Sequence, residues 1–305
     1  VLGEKTLRIT YANNTSAGSQ SALRPSKEKR EVAQQKEVIQ QKETAQNVER
    51  QMDFEAQRNS KLTIATSIAP KNLKKQAKAI ESWTKLGFDV VSLNCGEEIN
   101  ILQESFPDVK FVQAKRDARN TFGKPFIYFD EFLEYFQEND CEFCGIVNSD
   151  IFLIGDKGII SFIQSQARNA LVYASRVEID SLEVLRGEVY EDGFDFFFFH
   201  KLLISCFPKS DFCMGVPWWD YWALLIPALE GFQIKKFVTP FAYHIKHSFN
   251  WDNEQWIFLA EKCFEYLLGK INENSNANPD NNPWIHLGRM ISEYYKETNF
   301  PNVPD

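Results

Sequence analysis

The sequence has 305 residues, 44% of them hydrophobic and 25% charged, with a net charge of −8. An acidic chain of this kind excludes a general nucleic-acid binder, which shows a basic surface. No apolar run reaches the ~20 residues that a membrane span needs. The 26 Phe, 7 Trp and 10 Tyr are enough to build a large core and still line a site with rings. No signal peptide is visible, and the six cysteines stand at irregular spacing, which suits reduced thiols; a cytoplasmic location is expected. Cys141 and Cys144 form one C-x-x-C, but no second pair or His pair stands at zinc spacing, so they read as a helix-to-strand junction.

Residues 1–23 read as a short strand and a linker, the end of an upstream domain. Residues 24–60 are rich in Gln, Lys and Glu, with their one Pro at the start, and predict a long helix. Val38, Ala45 and Met52 recur every seven residues, a seam that would let the helix self-associate as a coiled coil. Gln41 and Glu55 interrupt that seam, which favours a solvated linker helix. From Lys61 the pattern alternates. "KLTIATSIA" is a strand, "PKNLKKQAKAIESWTKLG" an amphipathic helix stopped by Gly87, and "FDVVSLNC" a strand. A helix in "EEINILQESFP", a strand in "VKFVQAK", a helix in "FIYFDEFLEYFQEN" and a strand in "FCGIVNS" follow. Such alternation predicts an α/β domain over 61–270, a mostly parallel Rossmann-like sheet flanked by helices. Further on come a helix in "GIISFIQSQA", strands in "ALVYASRVEI" and "DFFFFHKLLI", a helix in "DYWALLIPALEGF", a strand in "QIKKFV" and a helix in "NEQWIFLAEKCFEYLLGKI". A loop and a last helix occupy 271–305.

In an open parallel sheet the ligand lies beyond the carboxyl ends of the strands. Three segments reach that edge. The first strand brings Thr66 and Ser67, the third brings Arg116, Asp117, Arg119 and Lys124, and "GIVNSDIFL" brings Asn148, Ser149 and Asp150. A carboxylate between two apolar runs must meet a cation or water. This set suits a nucleotide diphosphate with Mn²⁺ or Mg²⁺, held by carboxylate and phosphate oxygens.

The pattern "ATSIAPKNLKKQAKAIESW…LGFDVVSLN…GKPFIYFDEFLEYF…GIVNSDIFL…GFDFFFF…GVPWWDYW…PFAYHIKH", over about residues 61–250, resembles GT-A fold glycosyltransferases, in particular uncharacterised bacterial GT-A-like proteins. The resemblance implies a nucleotide-diphosphate sugar donor and a saccharide or related glycan acceptor. It makes Asn148-Ser149-Asp150 a variant of the family's Asp-x-Asp motif. Asp150 would then meet the metal and Asn148 the ribose; with one acid fewer, the ion is held less tightly. It also implies that Asp220 in "GVPWWDYW" is the base of an inverting transfer, beside the rings of Trp218, Trp219, Tyr221 and Trp222. As a first-turn acid, Asp220 also suits the helix N-terminus. His244 would complete the metal site, with Lys246 and His247 near the phosphates. Asp192 and Asp195 are the alternative acids or contacts to the donor sugar, and His200 reads as structural. Two other readings stay open. One is a non-catalytic, degenerate GT-A module in a larger assembly. The other is a sugar-nucleotide nucleotidyltransferase, although "TSIAPKNLKK" lacks the glycines expected after its first strand.

Overall fold

The computed structural model describes residues 62–156, 158–247 and 252–273. The segments expected over 1–23 and 24–60 lie outside these residues, as does 271–305 beyond residue 273. In chain order come β1 (Leu62–Thr66), α1 (Leu73–Leu86), β2 (Asp89–Asn94), α2 (Gly96–Leu102), β3 (Lys110–Gln113), α3 (Arg119–Phe122), α4 (Phe129–Glu138), β4 (Phe143–Val147) and β5 (Ile151–Leu153). Then follow α5 (Gly158–Ala167), β6 (Ala170–Ile179), β7 (Glu188–His200), a 3₁₀ helix (Lys201–Cys206), α6 (Trp219–Leu229), β8 (Gln233–Lys236), β9 (Ala242–Ile245) and α7 (Asn253–Glu273).

The strands form one mixed sheet flanked by helices, a Rossmann-like α/β fold. Its first half, β3-β2-β1-β4, is parallel, as the strand–helix alternation predicts. The second half departs from that expectation. β7 runs antiparallel to both β4 and β6; the short connection 180–187 can join β6 to β7 only as antiparallel neighbours. The start of β6 pairs in parallel with β8 and its end with β9, and β5 runs antiparallel to β9. β5 and β9 are short strands that the sequence pattern did not separate from their flanking loops.

The run "DFFFFH" is buried on both faces of the sheet. Phe196 and Phe198 join Ile64, Trp83 and Ile159 in one layer, under α1 and α5. Phe197 and Phe199 join Phe129, Phe136 and Trp219 in the other, under α4 and α6. The β6–β7 register shifts between Tyr173 and Ser175, where β7 carries an extra residue. That bulge reverses the side-chain phase, so Phe194 turns into the same layer as Phe197. Gly145 sits opposite Phe198 on the paired strand β4. A Cβ there would run into the Phe198 ring. Gly145→Ala is therefore expected to destabilise the domain by about 1–3 kcal/mol through overpacking, read as a lower urea midpoint at unchanged m-value.

Candidate active site

The polar turn after β4 is held by α1. This helix buries Ala79, Ile80, Trp83 and Leu86 at helical spacing and ends at Gly87, whose φ of 99° suits glycine. Its Trp83 Nε1 donates to Ile151 O at 2.7 Å, and Ser82 Oγ accepts from Leu153 N at 3.0 Å. Two turns earlier, Gln76 Oε1 accepts from Ser149 Oγ at 2.6 Å, and Lys75 Nζ lies 3.3 Å from Asp150 Oδ2. The helix thus bonds to residues 149, 150, 151 and 153, which fixes the direction of the Asp150 carboxylate.

Opposite α1 stands β9. Its register puts His244 between Ile151 of β5 and Glu178 of β6. His244 Nδ1 lies 3.1 Å from Glu178 Oε2, and Nε2 lies 3.2 Å from Asp150 Oδ2. His247 Nε2 approaches the same Asp150 oxygen at 3.4 Å. Burial acts to raise the pKa of Asp150, but the hydrogen bonds of His244 and His247, with the charges of His244 and Lys75, outweigh it and hold the carboxyl well below its usual range. Behind His244 the network continues inward. Arg176 Nε donates to Glu178 Oε1 at 2.6 Å, its Nη1 pairs with Asp195, and its guanidinium lies 4.4 Å from the centre of the Tyr190 ring. Burial also works against the charge of Glu178, and the bonds from Arg176 and His244 bring its pKa down below the ordinary value. Asp195 receives the Asn148 side-chain amide as well, and Asn148 N donates to Asp195 O at 3.0 Å.

Asp220 lies in the first turn of α6, after a turn that needs positive φ at Gly215 (87°) and Trp218 (75°). For a bulky residue such as Trp218 that conformation costs of order 1–3 kcal/mol, and it re-aims the chain just before the acid. Asp220 Oδ2 accepts from Phe194 N at 3.0 Å. Burial raises its pKa to about 7; the Phe194 hydrogen bond lowers it, and the nearby Asp195 charge raises it. A carboxylic acid poised near neutrality is suited to take or give a proton.

The residues singled out in the sequence divide into groups. Asn148, Ser149, Asp150, Asp195 and His244 come together in one network. Ser67 stands at the same edge, 3.5 Å from the Asn94 amide nitrogen. Thr66 does not reach it: the residue is fully buried, and its hydroxyl faces Met214 Sδ at 4.0 Å. Trp219 is likewise a core ring, tilted against Phe129 at 6.3 Å and set edge-on to Phe197 at 5.6 Å, with no face left for a sugar. Trp218 and Tyr221 contact each other, and Trp218 meets the partly exposed Trp256 of α7 at 5.1 Å. Arg116 is ion-paired with Asp130 and Glu131, and Arg119 with Asp117 and Glu97. Arg116, Asp117, Arg119, Asn120 and Tyr128 line an open cleft of about 430 Å³. This cleft follows β3, which is separated from β4 by two strands. Lys124 stands beyond α3, with its ammonium 5.9 Å from the Phe126 ring. The side chain of Asp192 lies outside the described residues. His200 is buried; its Nδ1 accepts from Leu202 N at 3.2 Å at the start of the 3₁₀ helix, and burial first, with the Arg168 charge, lowers its pKa to about 4. Cys141, between α4 and β4, and Cys144, within β4, are buried free thiols.

Four residues of the network were missed from sequence, and one of them, Gln76, carried no signal of its own. Arg176 and Glu178 had a readable signal: two opposite charges two apart within the apolar strand "ALVYASRVEI", and so on one face. Lys75 had none, since it is one of four lysines in the stretch 71–78.

No family model matches the chain, and no curated protein matches it. Among solved structures, residues 1–349 of S. aureus TarS are 12% identical, with a TM-score of 0.46 over 77% of this chain and 70% of that one. A longer S. aureus TarS structure gives 12% identity and a TM-score of 0.48, over 77% of this chain and 43% of that one. The 4-diphosphocytidyl-2C-methyl-D-erythritol synthase of Anaerococcus prevotii is 11% identical, with a TM-score of 0.38 over 66% of this chain and 97% of that one. Likeness at this level assigns no chemistry to the chain. Among the described residues, no helix is long and apolar enough to cross a membrane.

Proposed function

We propose that the chain is a glycosyltransferase that moves a sugar from a nucleotide-diphosphate sugar to a hydroxyl of a saccharide acceptor, with inversion. The observation that carries this reading is the cluster of Asp150, His244 and His247, beside Lys75 at the carboxyl edge of β1 and β4. One ligand atom from each of these three lies within 4.8 Å of the others. One carboxylate oxygen with two imidazole nitrogens fits Mn²⁺ better than Mg²⁺, which prefers oxygen throughout. Glu178 supports the fit: it orients the His244 ring through Nδ1, as a carboxylate behind a ligating histidine does. Bound there, the ion would neutralise charge on the departing diphosphate.

The rest is the work of the chain's own groups. Lys75 adds a positive charge on the diphosphate side. Ser67, Asn148 and Ser149 lie where the nucleoside would enter, and Asn148 is braced by Asp195. Asp220 takes the proton of the acceptor hydroxyl as its oxygen bonds to the anomeric carbon and the bond to the diphosphate breaks. Calorimetry of a nucleotide-diphosphate panel with and without Mn²⁺ tests the donor side. Asp150→Ala should lose the Mn²⁺-dependent affinity by at least tenfold while the thermal melt persists, and His244→Ala should lose less, since one ligand of several is removed. Unchanged affinity in Asp150→Ala would reject the metal assignment.

A further inference from the structure

Lys75 does more than sit beside the cluster. Its Nζ lies 3.3 Å from Asp150 Oδ2, 3.3 Å from His244 Nε2 and 2.9 Å from Ile245 O. The ammonium here faces a carboxylate oxygen, a carbonyl oxygen and an imidazole nitrogen. His244 Nδ1 faces Glu178, while its Nε2 faces both the ammonium and Asp150. The Lys75 ammonium thus pairs with Asp150 and stands against His244 Nε2, the same two atoms that a divalent ion would need.

We infer that the Lys75 ammonium is the resident cation of this site and competes with a divalent ion for Asp150 and His244; this rests on the metal reading proposed above. An ion bonded at roughly 2.0–2.2 Å to both atoms would occupy the space the ammonium now takes. A unit and a double positive charge at ~4 Å repel strongly even at an effective dielectric of about 20. Entry of the ion therefore displaces Nζ. The four-carbon stem of Lys75 allows this, and diphosphate oxygens arriving at the same edge give the ammonium its new partners. The ion and the diphosphate thus bind as a pair: the lysine disfavours the ion alone and rewards the two together.

The test is Mn²⁺ binding measured directly, by calorimetry and by loss of the free-ion electron paramagnetic resonance signal. It uses the full chain in wild type, Lys75→Met and Lys75→Met/Asp150→Asn, with folding checked by circular dichroism. Lys75→Met should bind Mn²⁺ roughly 10- to 100-fold tighter than wild type. The double variant should lose that gain, which places the gained affinity at Asp150. Inorganic pyrophosphate should tighten Mn²⁺ binding in wild type by a larger factor than in Lys75→Met. Equal or weaker Mn²⁺ binding in a folded Lys75→Met would overturn the exchange while leaving the metal site standing if wild-type binding depends on Asp150. No Mn²⁺ binding by any of the three, with or without pyrophosphate, would overturn the exchange and the metal reading together.

Discussion

Asp220→Asn is expected to cut sugar transfer by about 10²- to 10⁴-fold while making the protein more stable at alkaline pH. The first effect follows because an amide cannot take the acceptor's proton, and general-base catalysis is worth about that much. Donor affinity should stay unchanged, since the base acts on the acceptor. The second effect follows from linkage. In the folded protein the Asp220 carboxyl has a pKa of about 7 against an ordinary 3.8. The native state therefore keeps a proton that the unfolded chain releases. Its contribution to stability is whole below about pH 4 and is lost as pH rises through about 7. The total loss is about 4 kcal/mol, at ~1.4 kcal/mol per unit. The amide has no such slope. The helix-dipole effect on the anion is already contained in the raised pKa, so the gain at pH 8 is close to that whole loss, about 4 kcal/mol. Urea unfolding at pH 4.5 and pH 8 measures this, with near-equal stabilities expected at the lower pH. The turnover profile should rise with pH through an acid limb near 7 in wild type. Equal turnover in the variant would move the base to Asp192 or Asp195, or imply a mechanism that needs no such base.

Arg176→Met carries the largest expected loss of stability. The guanidinium is buried, bonds Glu178 and Asp195 together, and packs on Tyr190. Removing it leaves two buried carboxylates without their cation, a defect worth about 3–5 kcal/mol. Replacing one of its two partners along with the arginine, as in Arg176→Met/Glu178→Gln, should recover part of that loss, because the cost lies in the stranded charge. The urea midpoints of both variants and wild type decide this. A loss under about 1 kcal/mol in Arg176→Met would mean that water reaches the network and screens it. Both this variant and Asp220→Asn act on one group of acids: Asp195 is the carboxylate that Arg176 neutralises and whose charge raises the pKa of Asp220. Grouping acids in this way is costly to the fold; Asp220 is brought toward neutrality first by its burial, and the Asp195 charge adds to that.

What the sequence alone determined was local. The alternation from Lys61 onward, the Gly87 stop and the apolar spacing of α1 are set by periods of two and 3.6, and they carry the α/β class and the parallel half of the sheet. An acid between the apolar runs 145–147 and 151–153 is legible too, because a carboxylate in such a place must have a use. Residues far apart in the chain were decided only by tertiary structure. The antiparallel turn-back of β7 on β6 follows from the 180–187 connection, and the facing of Phe194 from the bulge in β7, neither of which a period reveals. The β9 register sets His244 between Asp150 and Glu178, and the rotation of α1 brings Lys75 rather than its neighbouring lysines to the same oxygen. Trp219 and Thr66 show the converse. Both stand beside residues of the site in sequence, yet one residue along a helix turns a side chain by about 100°, and one along a strand moves it to the other face. Trp219 therefore goes into the core while Asp220 next to it bonds to Phe194, and Thr66 is buried while Ser67 stays at the edge.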